Sequence, residues 1–567
     1  MAIVFAGWMM VWIMRPTRTW TNNFWNPVLR HVSTKAYGDT GAYTLIYISP
    51  ILLVAFVGAI YLSYSKKSKT MKPLKINPWN YPVFVRGPLA LISLSELALL
   101  GAFVALFAWT TAKHLKNSFD RINIPFMMHP GMSPHMDPLW QRKFNIVGGR
   151  LGAAGAVPFA FLFFPVARFS SLFQLIKIPF EHSIRYHIWI GHIMMVIWSA
   201  HSIVYVMYWP IAHKSKEFIL WEKTSIAGFT GMFAWIVGLL IWVTSLNPVR
   251  KQRFELFYYT HQLYILFVIG FVFHVGEKWL AMMVAGIFLF TIDRLFRFLQ
   301  SRRHVEVVSA RMISSETIEL TFAKLPNMNY PAASVIFVNL PAISGLQWHP
   351  FTVTSCSGVE LDKLSILVKC SGKWTYKLRE LIVQEGYKGI SNENPSPTRD
   401  ISKIKKQVRG ISRTQGYKLY AATILASFLG YMLLAGVIHR YYIFPQDHNT
   451  YKAFSRAGRG FISLMEYIAG VVFFGGATIL AWNCWKGKDL HLVDAPYVGS
   501  ISAEVGLKPT SIQVGKRPEF QDIIPEHSKG RKEYVGVFAC GPEGMQESVG
   551  VLCQAHKLNF HPLNFEL

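Results

Sequence analysis

Two apolar stretches decide the class of this protein, because each carries histidines inside a run long enough to cross a lipid bilayer. Residues 186–206 read YHIWIGHIMMVIWSAHSIVYV, and residues 258–276 read YYTHQLYILFVIGFVFHVG. Imidazole is costly inside a membrane unless it has a partner, so histidines in such segments are functional candidates. His187 and His201 lie fourteen residues apart, and His261 and His274 lie thirteen apart. Each stretch therefore holds one histidine towards either face of the membrane.

The spacing of these histidines predicts two levels of imidazole. At 1.5 Å per residue the members of each stretch are about 20 Å apart along a helix, inside a hydrocarbon core about 30 Å thick. One spanning helix separates the two stretches, so they run parallel, and His187 shares the cytosolic level with His261 while His201 shares the outer level with His274. Two neutral imidazoles are the axial ligands of a low-spin b-type haem. The pattern predicts two stacked haems; hydrogen bonds to neighbouring helices are the alternative for each histidine.

The two stretches differ in how well a regular helix aligns their histidines. At 100° per residue, fourteen residues return to within about 40° of the starting face, whereas thirteen leave the pair about 140° apart. The second stretch therefore requires a kink or a π-bulge between His261 and His274. His192, on the opposite face from His201, and His182 are interpreted as structural or interfacial.

The composition indicates that lipid is the solvent for much of the chain. Of the 567 residues, 52% are hydrophobic and 16% charged, whereas about a quarter of the residues of a soluble domain are charged. The net charge of +27 arises partly from short basic runs beside apolar segments, such as residues 66–69 and 250–253. Such runs are typical of loops at an anionic membrane face rather than of nucleic-acid binding. The five cysteines form no C-x-x-C pair, so neither a disulfide framework nor a structural zinc site is expected.

Nine segments approach the length of about 20 apolar residues that a membrane span needs. They lie near 42–62, 89–112, 147–169, 187–209, 226–246, 257–276, 279–299, 417–438 and 461–482. Residues 1–14 form a shorter apolar run, interpreted as a signal anchor or as part of a helix. Basic runs at 66–72, 250–253 and 302–303 fall on one side of the membrane, which we predict to be cytosolic. The loop from Lys113 to Asn145, with five basic residues, argues for the opposite orientation.

Outside the predicted membrane spans, the pattern of apolar and polar residues changes. Residues 305–322 (VEVVSARMISSETIELTF) and 363–370 (KLSILVKC) alternate and are rich in β-branched residues, which predicts strands. The predicted order is N-terminal transmembrane helices (1–112), a haem-binding transmembrane domain (147–299), a β-barrel domain (304–381), a linker (384–416), two late transmembrane helices (417–482) and part of an α/β domain (487–567). The predicted fold class is thus a multi-pass α-helical membrane protein with a bis-haem helical bundle, a cytosolic β-barrel and an incomplete α/β domain.

The four-histidine pattern resembles that of the ferric reductase and NADPH oxidase superfamily, and a second motif sharpens the resemblance. Residues 348–355 read WHPFTVTS. In the superfamily, H-P-F-T-[VL]-[TS]-S ends a strand of the FAD-binding β-barrel and lies along the flavin. The resemblance implies that FAD contacts six residues, with a threonine hydroxyl at the isoalloxazine edge: His349, Pro350, Phe351, Thr352, Thr354 and Ser355. From spacing alone, the motif is equally an ordinary strand end.

A second flavin motif follows the strand that ends near Lys369. Gly372, Trp374 and Thr375 match the G-x-W-T segment of the superfamily, which opens a helix beside the FAD diphosphate. The free N–H groups of a helix N-terminus suit a phosphate.

Further matches concern electron transfer and the nicotinamide. Phe267 matches an aromatic residue between the two haems, although a core phenylalanine is the plainer reading in an apolar helix. Cys540, Gly541 and Pro542 resemble the C-G-P turn whose cysteine lies near the nicotinamide. Phe565 is a candidate for shielding the flavin.

Within the superfamily the chain is most similar to the plant ferric reductase oxidases. These proteins carry additional membrane helices between the two halves of the nicotinamide-binding region, and the spans at 417–438 and 461–482 match that insertion. The chain departs from the family in one respect: no G-P-[YF]-G turn or G-G-x-G-[IV]-T-P segment follows Leu381. About thirty-five residues before the next span cannot hold the strand, turn and helix that bind the pyrophosphate. The first half of the nucleotide-binding fold is therefore predicted to be missing, as in a splice variant, an incorrect gene model or a degenerate paralogue.

The resemblance implies a ferric-chelate reductase, in which cytosolic NADPH or NADH reduces FAD and electrons cross the membrane through two b-type haems to Fe(III) chelates. Cu(II) is a second possible acceptor. The alternatives are an NADPH oxidase that reduces O₂, a truncated haem protein without catalysis, and a transporter, which leaves the WHPFTVTS motif unexplained. The plasma membrane is the usual site of the family, with an organelle membrane as the alternative, and the oligomeric state stays open.

Overall fold

The computed structural model describes most of the chain outside its longer loops. The described residues are 1–32, 37–65, 83–84, 92–122, 137–168, 170–176, 178, 180–221, 228–301, 305, 307–324, 330, 334–357, 360, 362–388, 409–411, 416–443, 454–490, 519–528, 536–541, 543–556 and 558–563. The basic runs predicted at 66–72 and 302–303 lie outside these residues. Two compact units result: Asp293–Gly416, and the rest of the chain.

Within the described residues, nine helical segments are long and apolar enough to cross a membrane. They are Gly38–Ser65, Leu94–Asp120, Leu139–Leu162, His182–Ile211, Gly228–Ser245, Phe254–Val275, Glu277–Gln300, Tyr417–Ile443 and Arg456–Trp485. Each overlaps one of the nine predicted spans, which confirms the multi-pass helical class. Ala2–Met14 is a shorter apolar helix, whose Trp12 is fully buried.

The α-helices are numbered in chain order. They are α1 (Ala2–Met14), α2 (Asn26–Val32), α3 (Gly38–Tyr43), α4 (Ser49–Ser65), α5 (Leu94–Ile122), α6 (Leu139–Ala154), α7 (Ala156–Leu162), α8 (Ser171–Leu175), α9 (Phe180–Ile211), α10 (Gly228–Ser245), α11 (Asn247–Gln252), α12 (Phe254–His261), α13 (Tyr264–Val275), α14 (Glu277–Gln300), α15 (Lys373–Lys388), α16 (Tyr417–Ile438), α17 (Arg456–Ala469), α18 (Gly476–Leu490), α19 (Phe520–Ser528) and α20 (Glu543–Ala555). Short π-helical turns join α3 to α4 and α17 to α18, so each of these pairs forms one span.

The prediction of a long basic loop from Lys113 to Asn145 is wrong. Helix α5 continues to Ile122 and α6 already begins at Leu139, so all five basic residues of this stretch lie on helices. The third span accordingly covers Leu139–Leu162 rather than 147–169. Hydropathy alone missed these helix ends because charged residues form helix as readily as apolar ones do.

Helix α14 is the most buried of the spans. Its most apolar window is 72% buried, against 17% for the span that begins at Leu94. Leu280, Met283 and Leu289 are all fully buried. A helix that is apolar all round belongs in the interior of a bundle, so α14 provides the surface on which neighbouring helices pack.

The unit Asp293–Gly416 contains two three-stranded antiparallel sheets. Their orders are β1 (Val307–Ser314), β2 (Thr317–Ala323), β5 (Lys363–Lys369), and β4 (His349–Thr352), β3 (Val335–Asn339), β6 (Arg409–Ile411). A two-residue turn joins β1 to β2, and Ile318 pairs with Val368. The strands predicted from alternation at 305–322 and 363–370 are confirmed.

Helix α15 closes the core of this unit. Trp374, Leu378 and Ile382 recur every four residues on one face, and all three are buried among the strand side chains. The helix runs to Lys388, and part of the segment interpreted as a linker, Arg409–Ile411, pairs with β3.

The described C-terminal residues form a β–α–β arrangement. Strands β7 (Gly536–Cys540) and β8 (Asn559–Leu563) are parallel and are connected through α20, as parallel strands require a crossover. Cys553 and Leu558 are fully buried in its small core. The predicted strand followed by a Gly/Pro turn is thus present up to Gly541.

Candidate functional site

The first predicted histidine pair meets between α9 and α12. The ring centroids of His187 and His261 are 6.1 Å apart, and the planes are inclined by 74°. Nδ1 of His187 lies 2.9 Å from the carbonyl oxygen of Leu162. A carbonyl only accepts, so Nδ1–H donates and Nε2 keeps its lone pair for a metal ion. Nδ1 of His261 lies 3.4 Å from the hydroxyl of Ser245.

The second predicted pair meets between α9 and α13. The ring centroids of His201 and His274 are 6.3 Å apart, and the planes are inclined by 62°. Nδ1 of His201 donates to the carbonyl oxygen of Gly148 over 2.8 Å. His187 and His201 therefore both carry their proton on Nδ1, so one histidine at each level has this tautomer. Since His187 pairs with His261 and His201 with His274, the two histidine-bearing stretches run parallel.

The separation within both pairs fits one metal ion between two imidazoles. A histidine nitrogen binds a transition metal at about 2 Å, and the ring centre lies roughly 1 Å beyond that nitrogen. Two such rings on opposite sides of one ion bring their centroids to about 6 Å, the separation seen at both levels. If the rings were only hydrogen-bonded to each other, the centroid separations of the two pairs would not need to be equal.

A tight turn between α12 and α13 brings His274 to the correct face. The N–H groups of Gln262 and Leu263 donate three residues back, to Tyr259 and Thr260, over 3.2 and 3.0 Å. Three residues per turn add about 20° of rotation per residue over an α-helix. Since thirteen residues fall about 140° short of four full turns, tighter winding reduces the mismatch and a π-bulge would increase it. The predicted departure from a regular helix is confirmed, and it is a tight turn.

Around His201 and His274 lies a cavity of about 540 Å³. Two glycines keep it open. A Cβ on Gly152 would meet the His201 ring at 2.8 Å, and one on Gly231 would meet the His274 ring at 2.7 Å. These glycines were missed by the sequence reasoning. The signal for Gly152 is the small-residue spacing in residues 148–155 (GGRLGAAG), which lets helices approach closely.

Phe267 lies in the middle of this bundle, six residues after His261 and seven before His274. It is 7% exposed, and its ring centroid is 5.9 Å from that of Trp198. Phe271 stacks on Trp198 at 5.0 Å, and Phe159 lies 4.7 Å from Phe271. This aromatic cluster of Phe159, Trp198, Phe267 and Phe271 fills the space between the two histidine levels. Only Phe267 was singled out from the sequence, because the others look like ordinary apolar residues.

His192 and His182, the two histidines interpreted from the sequence as structural or interfacial, have other partners. His192 accepts a hydrogen bond from the indole of Trp242 over 2.8 Å. His182 is buried 3.7 Å from the carboxylate of Glu96, which also accepts a 2.6 Å hydrogen bond from Tyr186. These contacts agree with the structural interpretation.

The two flavin motifs meet in the unit Asp293–Gly416. His349 and Phe351 lie on β4, paired with β3, and Pro350 and Thr352 complete that strand. The His349 ring lies over Trp374, with centroids 4.2 Å apart, and Phe351 is 6.1 Å from the same indole. Burial lowers the pKa of His349 to about 4, so the ring is neutral at neutral pH.

Hydroxyl groups hold the end of the first flavin motif, residues 348–355. Thr354 donates to the carbonyl of Ser365 over 3.0 Å. The hydroxyl of Ser355 accepts from the backbone N–H of Ser365 and lies 2.8 Å from that of Tyr330. Tyr330 was not predicted. These bonds fix the backbone that follows β4.

Thr375 organises the start of α15. Its hydroxyl oxygen accepts from the N–H groups of Ser371 and Gly372, both over 3.0 Å. A side chain in the first turn that bonds back to the preceding N–H groups is a capping arrangement. The helix therefore begins where the sequence motif places it.

The predicted nicotinamide residues are only partly described. Cys540 is the last residue of β7, and the Gly541 carbonyl accepts a 2.9 Å hydrogen bond from Gln546. Pro542 and Phe565 lie outside the described residues.

Comparisons with known proteins identify two regions. Residues 151–272 match the ferric reductase like transmembrane component, and residues 302–405 match the FAD-binding domain. The first region contains all the residues of both histidine pairs except His274; the second contains both flavin motifs.

Relatives cover the whole chain. It is 31% identical to ferric reduction oxidase 2 of Arabidopsis thaliana, over 100% of this chain and 96% of the relative. It is 39% identical to the chloroplastic ferric reduction oxidase 7 of the same plant, over 67% of this chain and 51% of the relative. It is 25% identical to a superoxide-generating NADPH oxidase heavy chain of Dictyostelium discoideum, over 66% of this chain and 78% of that protein. The chain belongs to the ferric reduction oxidase family.

Proposed function

We propose that this protein is a transmembrane oxidoreductase that uses FAD and two b-type haems to reduce Fe(III) chelates across the membrane. The observation that carries the proposal is the pair of histidine levels, with ring separations of 6.1 and 6.3 Å. Histidines that only form hydrogen bonds would not be expected to form two pairs with nearly equal ring separations. The names of the Arabidopsis relatives support ferric reduction.

The chain itself supplies ligation, orientation and space. His187 and His261 would hold one haem, and His201 and His274 the other; bound haem iron carries single electrons. The carbonyl groups that accept from Nδ1 fix the ring orientation and raise ligand basicity. The aromatic cluster excludes water between the levels.

The flavin residues form one site in this proposal. FAD, which accepts two electrons and releases them singly, would contact β4 and the start of α15. His349, Pro350, Phe351, Thr352, Thr354 and Ser355 form the first part of this site, and Gly372, Trp374 and Thr375 the second. The packing of His349 on Trp374 supports a joint site.

NADPH or NADH is the proposed electron donor, with Cys540, Gly541 and Pro542 in the remaining part of its site. Fe(III) chelates are the proposed acceptor, with Cu(II) as a further one. We propose the plasma membrane as the location. A relative with a mitochondrial name and one with a chloroplastic name make an organelle membrane the second candidate.

A second candidate function is a haem protein that receives no electrons from a nicotinamide. One observation favours it: the alignment with ferric reduction oxidase 2 runs over 703 positions, although this chain has 567 residues. The relative therefore holds residues without a counterpart here, in agreement with the missing glycine-rich segments after Leu381. A superoxide-producing oxidase is the third candidate, supported by the similarity to the Dictyostelium protein.

The test uses purified protein in liposomes, with Fe(III)–EDTA and a ferrous indicator sealed inside and NADPH with FAD outside. We expect Fe(II) to form inside, and His201→Ala to abolish it. His192→Ala, which removes only the bond from Trp242, is the matched control and should retain the rate. Equal rates for wild type and His201→Ala would contradict the proposal, and superoxide in place of Fe(II) would favour the oxidase.

A further inference from the structure

A cationic side chain from a late helix lines the same cavity as His201 and His274. Arg456 is the first residue of α17, and its side chain is part of the cavity wall. This helix lies far along the chain from the histidine-bearing helices. Arg456 therefore adds a positive charge to the cavity wall, which the neutral histidines do not provide.

Two glycines make room for this arginine. Gly276, which follows α13, has φ of +77°, a conformation that favours glycine. A Cβ there would meet Cγ of Arg456 at 2.6 Å. One turn along α17, a Cβ on Gly460 would meet the Gly276 backbone at 3.0 Å. Because these helices approach through glycine, Arg456 passes over the end of α13 and reaches the cavity.

The guanidinium of Arg456 has unused hydrogen-bonding capacity. Its Nε and Nη2 donate to the carbonyl oxygen of Val275 over 3.2 and 3.0 Å. A guanidinium has five N–H donors, so three remain. The plain alternative is that Arg456 only caps the C-terminus of α13, where a cation is favourable; that role uses one edge of the group.

The neighbouring carboxylate, Glu277, attracts Arg456 electrostatically but forms its ion pair with another arginine. Glu277 pairs with Arg459 over 3.3 Å. In the part of the chain that the structure describes, no carboxylate forms an ion pair with Arg456. Glu217, which also lines the cavity, forms none with it there. The cavity wall thus holds one cationic side chain, Arg456, and one carboxylate, Glu217, which are not paired with each other in the described part of the chain.

We propose that Arg456 binds a carboxylate in this cavity. The assignment of the ligand rests on the proposed function: it is a carboxylate of an anionic Fe(III) chelate, or else a propionate of the haem held by His201 and His274. Arginine suits both, since its planar group binds a carboxylate through two parallel hydrogen bonds.

The first test follows the oxidation of dithionite-reduced protein, so that no nicotinamide is needed. The acceptors are anionic Fe(III)–EDTA and cationic hexaammineruthenium(III). We expect Arg456→Gln to slow oxidation by Fe(III)–EDTA about tenfold, the effect of losing one charge-assisted pair, and to leave oxidation by the ruthenium complex unchanged or faster. Arg456→Lys should recover part of the rate. Lys278→Gln, which removes an exposed cation that pairs with Asp39, is the control.

The second test needs no electron transfer. Binding of redox-inert Ga(III)–EDTA is measured by calorimetry, and the haem midpoint potential by titration. If the ligand is the chelate, Arg456→Gln weakens Ga(III)–EDTA binding and leaves the potential unchanged. If it is a propionate, the variant lowers the potential of one haem and slows both acceptors alike.

A variant that changes neither chelate binding nor the potential overturns the inference and leaves Arg456 as a helix cap. An equal effect of Lys278→Gln on chelate binding also overturns it, because the effect would then be one of general charge. Absence of haem in the wild type would instead count against the proposed function, and the gallium measurement would still test Arg456.

Discussion

At the scale of single residues, the atoms behind each histidine matter as much as the histidine itself. The Leu162 and Gly148 carbonyls hold Nδ1 of His187 and His201, which leaves the lone pair of each ring on Nε2. Sequence reasoning identified the four histidines from their spacing alone. It had no means of finding the backbone carbonyls, because those contacts depend on how α6 and α7 pack against α9.

Gly231 gives a prediction at this scale. A Cβ there would meet the His274 ring at 2.7 Å, so Gly231→Ala should displace His274 and disturb one haem only. We expect the reduced-minus-oxidised absorbance of one haem to shift or disappear while the other is retained. Gly101→Ala, at a helical glycine with open space around it, is the control and should leave both spectra intact. Two undisturbed haems in Gly231→Ala would contradict the assignment of His274.

His349 gives a prediction about pH. Its pKa is about 4 in the folded protein, below the usual value of about 6.5. As the pH falls, His349 is therefore protonated in the unfolded chain before it is protonated in the folded protein. The free energy of unfolding has its full value above about pH 6.5 and decreases towards pH 4. The temperature at which FAD fluorescence is released from the full-length protein should fall over this range.

The control for that measurement is His349→Phe, which keeps a ring on Trp374 without a titrating group. Its release temperature should depend less steeply on pH between 6.5 and 4. Identical slopes for the two proteins would show that other groups govern this pH range.

At the scale of elements, the spans and strands follow from hydropathy and alternation, whereas their ends do not. All nine spans were predicted, yet the basic stretch after Lys113 turned out to be helical at both ends. Strand β6 was missed because Arg409–Ile411 is short and its pairing with β3 is distant in sequence. The tight turn at Gln262 was predictable as a departure from the regular helix, since thirteen residues cannot align two histidines.

The start of α15 carries the prediction at this scale. Thr375→Val keeps the shape of the side chain but removes the acceptor for the Ser371 and Gly372 N–H groups. Loss of such a cap costs about 1 kcal/mol, so the temperature of FAD release should fall by a few degrees. Thr375→Ser keeps the hydroxyl and should behave like the wild type. A larger loss in Thr375→Ser than in Thr375→Val would exclude the capping role.

At the scale of the whole molecule, the chain brings four histidines together in two pairs, and its 567 residues align with ferric reduction oxidase 2 over 703 positions. The core and the flavin motifs were recognisable because their chemistry depends on a few residues at fixed spacing. The strand that ends at Cys540 and the turn after it were predicted from the sequence, whereas the parallel strand β8 was not.

The most direct test of the account is the absorbance spectrum of the purified protein in detergent, before and after NADPH and then after dithionite. We predict that NADPH alone produces the sharp reduced bands of bis-histidine haem. Reduction by dithionite only would identify the protein as a haem protein separated from its donor. Absence of haem bands after both reductants would contradict the central claim that the four histidines hold two haems.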